Sequence, residues 1–172
     1  YNLVHYLEPY CKEITIFRND EINHDLISDE HKTLLSPGPG LPSENKELNY
    51  SIEKYHLNNN ILGVCLGFQA IGQFFGAELH NLKKVRHGIQ TQLEILNHDF
   101  LFKNVPNNIN IGHYHSWVIK NVPKQLKVTA LDFDNYAMAF RHSGLKISGI
   151  QFHPESILTD YGKQILQNWI IS

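Results

Sequence analysis

The run Ile61-Leu62-Gly63-Val64-Cys65-Leu66-Gly67-Phe68-Gln69 constrains this chain more than any other stretch of its sequence. Ile61 to Val64 is continuously apolar, the pattern of a strand covered on both faces in a parallel sheet. Leu66 to Phe75 reads as a helix stopped by Gly76. Cys65 sits on the turn between them, with a glycine two residues away on each side. That is the Gly-x-nucleophile-x-Gly elbow with cysteine in place of serine. Glycines are required because the turn is strained and the flanking backbone must pack closely. An unpaired cysteine is most often a core residue. This frame marks Cys65 instead as a nucleophile above a helix N-terminus, where free N–H groups and the helix dipole favour a thiolate. Cys11 has no such frame and reads as structural.

Only roughly a few per cent of a free thiol is ionised at neutral pH, so a working cysteine needs a base. Phe152-His153-Pro154-Glu155-Ser156 can supply one. The His153 imidazole would take the proton and the Glu155 carboxylate would fix its tautomer and orientation. His-Pro-Glu is short and unspecific alone; Pro154 stiffens it, so that the side chains on either side hold a defined relation. Gln69 lies one helical turn beyond Cys65 and can face the same pocket. Leu35-Ser36-Pro37-Gly38-Pro39-Gly40-Leu41-Pro42 reads as a strand closing in a tight turn whose stiff backbone could present N–H groups to a substrate.

The rest of the chain fits an α/β fold. Tyr1 to Tyr10 reads as an amphipathic helix, Ile14 to Phe17 and Thr33 to Ser36 as strands, and Glu47 to Tyr55 as a helix. From Gln90 the rhythm changes to closely spaced strands: 90–95, 110–113, 117–120, 127–132, 137–141 and 147–151. Tyr161 to Ile171 is the closing helix, with Thr159 as its N-cap. The expected architecture is one domain over residues 1–172, doubly wound, with a mostly parallel central sheet, helices on both faces and an additional antiparallel region.

The formal charge of −2 over 172 residues leaves no footprint for nucleic acid, and no basic block or long apolar run points to a membrane. Two cysteines make no disulfide framework, and a working thiol points to a reducing compartment, most simply the cytoplasm. His113 and His115 would put two imidazoles on one strand face, but no cysteine or carboxylate cluster completes a metal set. No phosphate-binding glycine loop is present. Neither a metal nor a cofactor is expected.

In order along the chain, these segments resemble the class I (triad) glutamine amidotransferases. The likeness runs from Tyr1 to the last helix and is most similar to the glutaminase subunits of anthranilate synthase and aminodeoxychorismate (para-aminobenzoate) synthase, to which Phe152 through Leu166 is especially close. The resemblance implies a catalytic Cys65-His153-Glu155 triad and an oxyanion hole from the backbone N–H groups of Gly38 and Leu66. It implies L-glutamine contacts from Gly38, Pro39, Gly40 and Gln69, with Ser116 and Trp117 contributing backbone from Tyr114-His115-Ser116-Trp117. Arg86-His87-Gly88 would be the family's mid-domain turn. Two positions depart from the family pattern: Phe68, expected to line the pocket, and Ile89, in the region that faces the partner in relatives. The family begins with a strand ahead of such a first helix, so that strand is expected upstream of the residues given. The implied activity is hydrolysis of glutamine to glutamate and ammonia through a thioester, with ammonia passed to a chorismate-using synthase subunit in a hetero-oligomer. Two alternatives remain: a stand-alone γ-glutamyl cysteine hydrolase, and a non-catalytic regulatory subunit.

Overall fold

A computed structural model describes residues 2–172. Seven strands form one sheet in the order β1-β2-β7-β6-β5-β3-β4. The first three are β1 (Lys32–Leu35), β2 (Asn60–Val64) and β7 (Ile147–Ile150), which pair in parallel. The others, β3 (Glu78–Ile95), β4 (Asn108–Lys120), β5 (Leu126–Asp132) and β6 (Ala137–His142), add antiparallel pairings. The α/β class is as expected, but the antiparallel region is larger than the parallel one. From β4 through β7 the connections are too short to carry the crossover that a parallel neighbour requires.

Alternation along β2 sends side chains to opposite faces, and two cores follow. Leu62 and Val64 pack with Leu3 and Leu7 of α1 (Asn2–Leu7) and with Ile165, Leu166 and Trp169 of α4 (Gly162–Ile171). Ile61 packs with Leu48 and Ile52 of α2 (Lys46–Tyr55) and with Ile71 of α3 (Leu66–Phe74). Phe68 belongs to this second core, fully buried and stacked on Phe140 with ring centroids 4.6 Å apart. It therefore does not line the pocket.

Several local expectations are corrected. The first helix spans Asn2–Leu7 and continues as a 3-10 turn to Tyr10; Tyr1 lies outside the described residues. Ile14 to Phe17 is not a strand, because no neighbour among the described residues pairs with it, and Ile16 is half exposed. Arg86-His87-Gly88 is not a turn. It lies inside the long strand β3, where Gly88 at φ +67° makes an irregularity that β4 absorbs. The two strands expected at 110–113 and 117–120 are one, β4, with Tyr114-His115-Ser116 in its middle. Thr159 does not cap α4; Tyr161 occupies that position in a left-handed conformation.

Candidate active site

The C-terminal ends of β1, β2 and β7 lie side by side, and each strand delivers one part of a site there. Ligand crevices of open α/β sheets form at such ends. After β1 comes the Ser36–Leu41 loop, after β2 the Cys65 elbow, and after β7 the segment Gln151–Glu155. Register fixes the last two against each other: Val64 is level with Ile150, and the Cys65 N–H donates to the Ile150 carbonyl at 2.9 Å.

Cys65 has φ +52° and ψ −98°, a conformation that a non-glycine residue holds only when its surroundings enforce it. The enforcement is visible at the flanking glycines. A Cβ on Gly67 would stand 2.3 Å from the Leu35 carbonyl oxygen, and one on Gly63 would stand 2.5 Å from the Gly67 backbone. Helix α3 thus packs directly on β1 and β2, and the chain must turn sharply between strand and helix. The thiol is buried, at 7 % exposure, rather than facing open solvent, and is reached through a cavity of about 410 Å³.

That cavity brings together the residues expected to bind substrate. Gly38, Pro39, Gly40, Leu66, Gln69, Ser116 and Trp117 all line it together with Cys65. Leu66 is the first residue of α3, so its N–H has no partner within the helix. A Cβ on Gly38 would lie 3.1 Å from the Leu66 side chain, so the two residues pack against one another. A larger hollow of about 600 Å³ opens at the opposite ends of the same strands, around Lys32, Asn60 and Ile147, away from Cys65.

His153 Nδ1 lies 2.9 Å from Glu155 Oε1, so Nδ1–H donates to the carboxylate, which leaves Nε2 for the sulfur. Nε2 is buried and meets no partner at full hydrogen-bond geometry, a loose contact of the kind that substrate tightens in catalytic sites. Burial alone would lower the His153 pKa. The Cys65 sulfur and the Glu155 carboxylate, by hydrogen bond and charge, override it and raise the value to about 9. The imidazole therefore holds its proton at neutral pH.

The loop carrying His153 is pinned to β4. Thr159 Oγ1 donates to the His153 carbonyl at 2.6 Å and accepts from the Gly112 N–H at 2.9 Å. The Tyr114 ring stands edge-on to His153 at 5.0 Å, and its hydroxyl meets Ser156 Oγ at 3.0 Å. Farther along β4, His113 and His115 hydrogen-bond to each other at 2.9 Å, and Thr91 Oγ1 meets His113 at 2.6 Å. Burial, reinforced by Arg86 and neighbouring imidazoles, depresses their pKa values to about 4 and about 3. Both are neutral at pH 7 and bind each other rather than converging with other ligands.

Sequence reasoning missed Gln151. It is fully buried, and its side-chain nitrogen lies 3.6 Å from Cys65 Sγ. The available signal was its place as the first polar residue after the apolar strand β7, at the sheet end where sites form.

A sequence profile of the family glutamine amidotransferase class-I matches residues 1–172. Anthranilate synthase component 2 of Methanocaldococcus jannaschii is 41% identical over 93% of this chain and 81% of its own length. Aminodeoxychorismate/anthranilate synthase component 2 of Bacillus subtilis is 38% identical over 99% of this chain and 89% of its own. A crystal structure from Thermoplasma acidophilum, provisionally described as a GMP synthase subunit, superposes with a TM-score of 0.87 at 27% identity, covering 99% of this chain and 85% of that one.

Proposed function

The chain belongs to the class-I glutamine amidotransferase family, and from that premise we propose that it is the glutamine-hydrolysing subunit of a chorismate-using synthase. The ammonia it releases serves anthranilate synthesis, aminodeoxychorismate synthesis, or both. The observation that carries the chemistry is the Cys65 thiol on a strained elbow beside a protonated His153 backed by Glu155.

Cys65 attacks the side-chain amide carbon of glutamine. The new C–S bond pushes an electron pair onto the carbonyl oxygen, which the Gly38 and Leu66 N–H groups receive; one such donor is worth about 10²–10³ in rate. Collapse breaks the C–N bond, and His153 gives its Nε2 proton to the departing ammonia. Water, deprotonated by His153, then cleaves the thioester to glutamate and restores the Cys65 thiolate beside the protonated His153. Gly38, Pro39, Gly40 and the Ser116–Trp117 backbone hold the amino-acid end. Gln69 already commits its amide nitrogen to Trp117 O and Gln151, so its oxygen is what remains for the substrate, which suits the α-ammonium.

A synthase partner is supported by component 2 relatives on nearly full-length alignments and by an apolar rim. Val85, Ile89 and Ile157 are exposed; the β3 pair flanks residues level with Tyr114 and His115, and Ile157 follows Ser156. A reducing cytoplasm suits the free thiols. The test is product formation from chorismate by candidate synthase subunits, with glutamine or with ammonium salts as nitrogen source. The proposal expects glutamine-dependent synthesis only when this chain is added, and ammonia-dependent synthesis without it. Full glutamine turnover by the lone chain, unchanged by any partner, would favour a stand-alone hydrolase.

A further inference from the structure

The chemistry above leaves one buried polar chain unused. Gln69 Nε2 lies 2.9 Å from the Trp117 carbonyl and 3.0 Å from Gln151 Oε1, and Gln151 Nε2 lies 3.6 Å from Cys65 Sγ. Both glutamines are more than nine-tenths buried. Which end of each amide is nitrogen is fixed by chemistry. The Trp117 carbonyl can only accept, so the Gln69 atom facing it must be the NH₂ group. That NH₂ also meets the Gln151 amide, whose facing atom must then be oxygen. The remaining end of Gln151, turned to the sulfur, is therefore a donor.

We propose that Gln151 is a further residue of the catalytic centre, its side-chain N–H steadying the Cys65 thiolate, with Gln69 as the positioning residue that locks the amide in its donating orientation. This rests on the reading of Cys65 as the nucleophile. A buried thiolate has lost water, and each donor aimed at it replaces part of that solvation. The α3 N-terminus makes no hydrogen bond to the Cys65 side chain and His153 Nε2 meets no partner at full geometry, so Gln151, from the strand side, is the donor seated on the sulfur. It differs from His153 because it carries no proton to be transferred. It favours the thiolate throughout the cycle, both before attack and as the sulfur leaves the thioester. Its anchor is the Trp117 carbonyl on the cavity wall, so the sulfur is tied to the backbone expected to hold the substrate. Amide chains of this kind polarise one another. A substrate ammonium placed on the free Gln69 oxygen would strengthen the Gln69 N–H bond to Gln151, and through it the bond to sulfur.

The test is the rate of Cys65 alkylation by iodoacetamide as a function of pH, in a Cys11→Ser background, with glutaminase kinetics alongside and any activating partner present. Two substitutions are compared. Gln151→Met removes both donor and acceptor; Gln151→Glu keeps the shape and the acceptor toward Gln69 but sets a carboxylate where the donor stood. The folded Met variant should alkylate about tenfold more slowly at pH 7, the size expected from losing a hydrogen bond to a charged atom, and the Glu variant more slowly still, because like charge repels the thiolate. The deficit should close as pH rises, and kcat should fall with KM for glutamine changing less than about threefold. On the unsubstituted chain, one Gln151 side-chain amide proton resonance should shift when Cys65 is alkylated. An unchanged alkylation profile in a folded variant overturns the proposal, as does a Gln151 resonance indifferent to Cys65. Alkylation reads the N–H···S contact without glutamine turnover. Glutamine hydrolysis surviving in Cys65→Ser would therefore sink the nucleophile reading separately from the Gln151 contact.

Discussion

His153 Nδ1 lies 2.9 Å from Glu155 Oε1 although only one residue separates them. Pro154 makes this possible: its fixed φ leaves the two side chains turned toward one another at little entropic cost. The carboxylate helps the imidazole keep its proton up to about pH 9. Glu155→Gln should keep the shape and lose the charge, reducing glutamine hydrolysis by about 10²–10⁴ through weaker proton delivery and a less certain tautomer. Steady-state turnover with the natural partner checks this.

The same pair predicts a stability trend. A histidine in the unfolded chain loses its proton near pH 6.5, whereas folded His153 holds it to about 9. Its contribution is fully present below about 6.5 and lost as pH rises through 9. The gap in urea midpoint between the parent chain and Glu155→Gln should therefore narrow from pH 6 to pH 9.

His113 and His115 predict the opposite slope. Burial holds them neutral to about pH 4 and about 3, while the unfolded chain protonates near 6.5. Stability should fall as pH drops from about 6.5 toward 4, because the unfolded state binds the extra protons. His113→Gln should flatten that fall, as read from urea midpoints across the range.

Gly67→Ala would drive a Cβ to within 2.3 Å of the Leu35 carbonyl oxygen, so α3 must shift and Cys65 with it. A destabilisation of about 1–3 kcal/mol is expected, with a larger relative loss of activity than of stability. Gly144→Ala meets nothing within 4 Å and should change the unfolding free energy by less than about 0.5 kcal/mol.

Thr159→Val removes both hydrogen bonds of the hydroxyl that bridges the His153 carbonyl and Gly112, and leaves the buried Gly112 N–H without that partner, while the His153 N–H to Gly112 carbonyl bond stays. About 1–3 kcal/mol of stability should be lost. Turnover should fall further than that of a surface substitution of equal stability cost, since His153 moves with the loop.

Those predictions show where the sequence was informative. Cys65, Gly63 and Gly67 announced the elbow because the constraint is local: one strained turn and two close backbone approaches, all within five residues. His153 and Glu155 were legible for the same reason, with Pro154 between them. Gln151 was not, since its meaning comes from the pairing of β7 with β2, residues 86 positions apart meeting at the sulfur. Ile14 to Phe17 carried strand composition but found no partner to pair with. Residues 78–89 hid a strand because their mostly polar, exposed side chains gave no apolar alternation, although Glu78 to Asn81, Arg86, His87 and Ile89 pair with β4 alongside. Thr159 looked like a helix cap from its spacing; tertiary contact with β4 claimed its hydroxyl instead.

The central claim is that the Cys65 sulfur attacks the glutamine side chain. Incubation of the natural complex with 6-diazo-5-oxo-L-norleucine, a glutamine-shaped electrophile, followed by peptide mass spectrometry, tests it most directly. One adduct is expected, on Cys65, slowed by excess glutamine, with Cys11 unmodified and glutamine hydrolysis lost in proportion. Equal labelling of both cysteines, or full hydrolytic activity in Cys65→Ala, would contradict the account.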